Sequence, residues 1–167
     1  MAKYRAFTFN QFMLSSVQQG LQSTHSLMEL ALSNREREAD DPTDARADMF
    51  WSWARDEKTL VVLNGGDCVD LQDLVQFLAL SDNPYPWDVF REDASLNNAL
   101  TSVAVILPEK FWSEHEKYLP LPIGTYVQNF NAWSADPNQT PLLERPSDFT
   151  MWEFVMLVRR ASARRAV

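Results

Sequence analysis

Gln18, Gln22, His25 and Glu29 are spaced 4, 3 and 4 apart within SSVQQGLQSTHSLME (residues 15–29). On a helix that spacing sets all four along one line over about three turns. Solvated helix faces are usually written in Lys, Glu and Arg. Amides and an imidazole instead donate and accept hydrogen bonds without a fixed charge, which suits the edge of a polar ligand. The plainer alternative is a partly exposed face whose side chains cap neighbouring loops.

A second polar cluster is REDASLNN, residues 91–98, where Arg91, Glu92, Asp93, Ser95, Asn97 and Asn98 crowd hydrogen-bonding groups together. Such a loop at a strand end is where open α/β sheets bind ligands, and an Arg fork can take two oxygens of a phosphate or carboxylate. Asp, Ser and Asn also dominate ordinary turns for backbone reasons. A third stretch, LNGGD (63–67), offers free backbone N–H groups at a helix start. No Walker or dinucleotide pattern is completed there, and Asp67 is equally an N-cap. Trp51, Trp53 and Trp87 are candidates for stacking on a nucleobase or for the core. With two histidines and one cysteine, a catalytic zinc or a Cys–His nucleophile has little to be built from, and neither metal nor cofactor is expected.

The elements that must position these groups are legible as patterns. KYRAFTF reads as a strand and TLVVL as a strand buried on both faces; WDVFRED and LTSVAVIL read as two more. A first helix begins at Ser15 and Gln18, which have capping-box spacing. Val17, Leu21, Thr24, Met28 and Ala31 form its expected buried stripe. NREREADDPTDARAD reads as a charged connection, ARADMFWSWARDEK as a second helix, and DCVDLQDLVQFLALSDN as a third with Leu71, Leu74, Val75 and Leu78 inward. The alternation implies a layered α/β domain with parallel pairing across helical crossovers. Beyond a short helix after Pro108, residues 119–148 hold five prolines and no clear period, as in a lid, arm or interface. A last helix, 149–167, ends in a basic cluster.

Composition bounds the rest. The chain has 167 residues, 46% hydrophobic and 23% charged, as expected of a soluble globular domain without a membrane span. The start, MAKYRAFTFNQF, lacks the apolar run of a signal peptide, and a lone Cys68 fits a reducing cytoplasm. The net charge is −8, but Arg159, Arg160, Arg164 and Arg165 crowd the last nine residues. The body before them has 11 Lys+Arg against 23 Asp+Glu, a net charge of −12. Such a body repels a phosphate backbone, so long nucleic acid is an unlikely partner except through the Arg cluster.

Taken together, the first strand, a helix with Gln22 and His25 three apart, a middle strand and helix, and Asp93-Ala94 ahead of a Thr101-bearing last strand resemble the peptidyl-tRNA hydrolases of the archaeal and eukaryotic type. The resemblance covers about residues 3–108. It implies a three-layer α/β/α sandwich on a four-stranded mixed sheet, to which the Pro-rich arm and C-terminal helix are additions. The expected organisation is a hydrolase-like domain over 1–118, an arm or lid over 119–148 and a terminal helix over 149–167.

Carried over by position are Gln22, His25, Asp93 and Thr101. The family's lysine, four residues before the glutamine, is Gln18 in this chain; its Asp-Ala-Gly is Asp93-Ala94-Ser95, and the following threonine falls on Asn97. An amide in place of that lysine removes the cation that would meet a phosphate or a developing negative charge. The expected function is therefore non-catalytic binding of a small polar, nucleotide-like ligand by Gln18, Gln22, His25, Glu29, Arg91, Asp93, Asn97, Asn98 and Thr101. By analogy with viral anti-defence proteins, such a pocket would sequester a nucleotide signal. The alternative is a working peptidyl-tRNA hydrolase in which Asp93 activates water, Gln22 and His25 position substrate and the Arg tail grips tRNA. A third possibility is an interaction protein that forms homo-oligomers through 119–167.

Overall fold

A computed structural model describes residues 3–79, 83–92, 97–109 and 111 of the chain. The arm, the terminal helix and Asp93 lie outside the described residues, as does the boundary at 118.

The fold is mixed α/β. In chain order it comprises β1 (Tyr4–Gln11), α1 (Ser16–Asp40), α2 (Ala45–Ser52) continued by a π-helical turn (Trp53–Glu57), β2 (Leu60–Gly66), α3 (Cys68–Leu78), β3 (Trp87–Glu92) and β4 (Ala99–Pro108). The strands form one mixed sheet in the order β2-β1-β4-β3. β1 pairs parallel with β2 across the helical crossover and antiparallel with β4; β3 pairs antiparallel with β4. The carboxyl ends of β1, β2 and β3 therefore share one edge of the sheet with the start of β4.

Central position explains why β1 and β4 are the most buried strands: Ala6, Phe7, Phe9 and Val103 to Leu107 are at most 1% exposed. Full burial of a side chain such as Phe7 or Phe9 contributes about 1.5–3 kcal/mol. TLVVL was expected to be buried on both faces, but β2 is an edge strand, and of its seven residues only Leu63 and Gly66 are buried. Strand position depends on non-local pairing, which an apolar run does not encode.

Helix α1 starts as its sequence dictates. Ser15 Oγ accepts from the Gln18 backbone N–H, while Gln18 Oε1 accepts from the Ser15 backbone N–H at 3.0 Å and from its hydroxyl at 3.0 Å. Its length and orientation depart from expectation. It runs through the charged stretch to Asp40, so only residues 41–44 connect it to α2. It also turns most of its expected apolar stripe outward: Val17 is 73% exposed, Leu21 54% and Met28 58%, and Thr24 is exposed too. Of that stripe, Ala31 alone packs against the core. The buried side is Gln22, Ser23, Ser26, Leu30 and Asn34. Lower along this face, Leu30 joins Ala6, Phe50, Trp53, Ala104 and Ile106 in an apolar cluster.

Helix α3 is positioned by two glycines. Gly66 has φ 84°, a left-handed conformation favouring glycine. At Gly65 a Cβ would meet Leu71 Cδ2 at 2.5 Å and Phe9 atoms at 3.1 Å, so only hydrogen fits between β1 and α3. Asp67 then caps α3 by accepting from Val69 and Asp70 N–H groups. No described helix is long and apolar enough to cross a membrane.

Candidate functional site

The polar residues singled out in the sequence converge on the shared strand-end edge, where both of the sheet's register breaks also fall. On β1/β2 the pairing shifts between Asn10 and Gln11, skipping Gly65; on β3/β4 it shifts between Phe90 and Arg91, skipping Thr101. A bulge adds one residue to a strand and re-aims its side chain. Here neighbouring Thr101 and Ser102 both hydrogen-bond to α1, which a regular strand would forbid because alternate side chains face opposite ways.

At the centre is the Gln22 carboxamide, 7% exposed. The Thr101 hydroxyl donates to Gln22 Oε1 at 3.0 Å, and Gln22 Nε2 donates to Glu92 Oε1 at 2.8 Å. The amide is thus oriented from both ends, with its flip state fixed by a donor on one side and a carboxylate on the other. Deeper in the same interface Ser23 Oγ lies 2.8 Å from Thr8 Oγ1 and accepts from Asn10 Nδ2 at 3.0 Å. Ser26 Oγ lies 2.9 Å from Ser102 Oγ. Ser33 donates to Asp88, and Asn34 Nδ2 donates to the Leu30 carbonyl at 2.7 Å. Asn10 Oδ1 is buried in this seam without a hydrogen-bond partner.

His25 lies at the rim. It is exposed, and its ring is tilted 53° on Phe90 with centroids 4.5 Å apart. The structure therefore brings Gln22, His25 and Thr101 together with Phe90 and Glu92. It does not bring all the candidates to that point. Gln18 is exposed and its amide oxygen is engaged in the helix cap; Glu29 is exposed farther along α1. Arg91 reaches the α3 side, with Nη2 3.5 Å from Gln72 Oε1 and Nη1 3.4 Å from the Asn98 carbonyl. Asn97 and Asn98 are exposed turn residues with φ of 51° and 61°, the left-handed region that asparagine tolerates best after glycine. Glu92 belongs to the polar strand-end cluster but not to the expected ligand-binding set, and its pairing with Gln22 was not foreseen. It stood in the quoted REDASLNN stretch, but nothing local marks it as facing Gln22.

At the opposite end of the sheet a cleft of about 550 Å³ is lined by Tyr4, Glu38, Asp48, Trp51, Arg55 and Asp56, among others. Trp51 thus lines a cleft, whereas Trp53 is a core residue whose Nε1 donates to the Thr59 carbonyl at 2.9 Å. Among the described residues no group of three or more His, Cys, Asp or Glu could hold a metal ion.

The titrations with a clear direction lie at the end of α1. A hydrogen bond from Arg46 holds the Asp44 carboxyl below its ordinary value of 3.8 and raises Arg46 in turn; hydrogen bonds from Thr43 lower Asp41. These groups order the α1–α2 connection, with Asp44 also capping α2. No protein-family model matches the chain, and no curated protein matches it.

Proposed function

We propose that the strand-end cluster around Gln22 recognises a small polar ligand with a flat, hydrogen-bonding edge, of which a nucleotide is the best-fitting class, and that it binds without turning the ligand over. The observation carrying this reading is the Gln22 carboxamide held between Thr101 and Glu92. A preoriented amide beside a carboxylate suits reading the edge of a base, and the exposed His25 ring backed by Phe90 offers a stacking surface. Arg91 stands near the end of the same strand but reaches toward α3, so a phosphate would meet it only by extending round the strand end.

Catalysis is less well supported. The side chain at 18 is an amide engaged in its own helix cap, so the cation expected there of a peptidyl-tRNA hydrolase is missing from the first turns of α1. The resemblance to that family, and the three-layer α/β/α reading that goes with it, rest on the same footing as this proposal. Supporting the layers, α1 meets Thr8, Asn10 and Ser102, whereas Leu71 of α3 and Phe9, on the opposite alternation of β1, both crowd the Cβ position of Gly65.

The test is ligand fate. Purified protein is incubated with mono-, di- and cyclic nucleotides and a peptidyl-tRNA mimic, freed of unbound material and heat-denatured, and the released compounds are chromatographed. An intact nucleotide, retained by the native chain and lost in Gln22→Leu, is the expected result. Cleavage of the mimic into tRNA and peptide would replace binding by hydrolysis.

A further inference from the structure

The outward face of α1 has no role in the fold just described. Val17, Leu21, Met28 and Leu32 recur at 4, 7 and 4 residues, one stripe along the helix, and each is more than half exposed. The stripe lies opposite the buried Ser23, Ser26 and Leu30. Thr24 and Gly20 flank the stripe on one side. The Thr24 hydroxyl is turned back onto the Gly20 carbonyl at 3.0 Å, leaving its methyl outward. Gly20 costs a mid-helix position about 1 kcal/mol relative to Ala, yet a Cβ there would meet nothing within 4 Å. No packing within the described chain accounts for that glycine.

We infer that this face pairs with α1 of a second copy of the chain, forming a two-fold symmetric dimer. Three observations favour that occupant. First, the exposed Val17, Leu21, Thr24 and Met28 follow steps of 4, 3 and 4, the period at which two helices keep one seam in contact. Gly20 gives the second backbone room to approach.

Second, electrostatics select this face for self-association. Two bodies of charge −12 repel each other, but residues 6–28 contain no Asp, Glu, Lys or Arg at all. The neutral stretch is where like copies can meet. The same fact counts against a lipid surface, because interfacial helices use Lys and Arg beside the apolar stripe and an acidic body is repelled by anionic headgroups.

Third, the area is adequate. With Phe12 (53%) and Met13 (77%) just before α1, the six side chains expose roughly 700 Å². That exceeds the ~300–600 Å² of the largest apolar patch on an ordinary monomer and approaches the ~800 Å² per partner of a standard interface.

The experiment is sedimentation equilibrium of the full chain over a wide concentration range, repeated for the double substitution Leu21→Lys with Met28→Lys and for Val69→Lys. Val69 is 68% exposed on α3, away from α1. The expected result is a concentration-dependent dimer whose dissociation constant weakens by more than about 100-fold in the α1 double variant. Val69→Lys should leave it unchanged, and circular dichroism should be native in all three. A native chain that stays monomeric overturns the inference. Monomers that bind neutral vesicles would assign the face to lipid, and monomers that do not would leave it to a different protein. A dimer that survives both α1 substitutions overturns it equally and moves the interface elsewhere, including residues 119–167.

Discussion

The two long faces of α1 divide their chemistry against the usual rule. The face against the sheet carries Gln22, Ser23, Ser26 and Asn34, and the face toward solvent carries Val17, Leu21, Met28 and Leu32. Burying polar side chains costs free energy unless they find partners, and the sheet answers most of the inward face with Thr8, Asn10, Thr101 and Ser102, leaving Asn10 Oδ1 and Asn34 Oδ1 without one. A hydrogen-bonded polar seam fixes orientation and register more tightly than apolar packing of similar area, since each hydrogen bond has one geometry. That precision is what holds Gln22 at the strand ends. The outward face meets no such constraint among the described residues, and the occupant inferred for it is a second copy of the chain.

Substitutions sharpen the contrast by moving one kind of chemistry to the other side. The largest effect is expected for Ser23→Leu. It overfills a fully buried site and strips partners from Thr8 and Asn10, so urea denaturation should give a loss of about 3 kcal/mol. Gln22→Leu takes a partner from the Glu92 carboxylate and leaves the Thr101 hydroxyl only the Phe90 carbonyl, at a cost of about 2 kcal/mol by the same assay. Nucleotide retention should vanish with it even at temperatures where the variant is folded.

A smaller effect is expected beyond both faces, where the N-cap of α2 is lost in Asp44→Ala. The cost at pH 7 is about 1 kcal/mol. Its pH dependence has a fixed sign. The Asp44 carboxyl titrates lower in the folded chain than when unfolded, so its contribution is complete above the ordinary value of 3.8 and is lost as pH falls through the folded value. Thermal melts of the native chain and of Asp44→Ala should therefore converge in acid below about pH 4. Smallest of all is Leu21→Lys under dilute conditions where α1 is unpaired. Its stability should stay within about 0.5 kcal/mol of native, because the side chain is 54% exposed.

Much of this was legible in the sequence. Ser15 and Gln18 announce the capping box that forms, the strands fall on the β-branched and aromatic runs, and Leu71, Leu74 and Leu78 are buried as their spacing predicts. The orientation of α1 was not legible. Hydropathy treats Ser, Gln and Asn as solvated, yet small polar groups pack well when the opposing strand supplies partners, and those partners are 13 to 79 residues away in sequence. The same non-locality hid Glu92 from Gln22 and made β2 an edge. NRERE reads as a solvated connection because its charges are real, but they sit on the exposed end of a helix. Gly65 marked one bulge; nothing in LTSVAVIL marks the other, at Thr101.

The most direct test of the inverted helix is the rate of thiol labelling at two neighbouring positions. Leu21→Cys and Ser23→Cys would each be made in a Cys68→Ser background, since Cys68 is itself exposed. Both would be labelled at a dilution where α1 is unpaired. A thiol at 21 reacting close to the rate of a free thiol, with one at 23 protected by the opening of the whole domain, is the predicted result. Protection at 21 with free reaction at 23 would mean that α1 buries its apolar face after all, and that the polar line is merely its wet side.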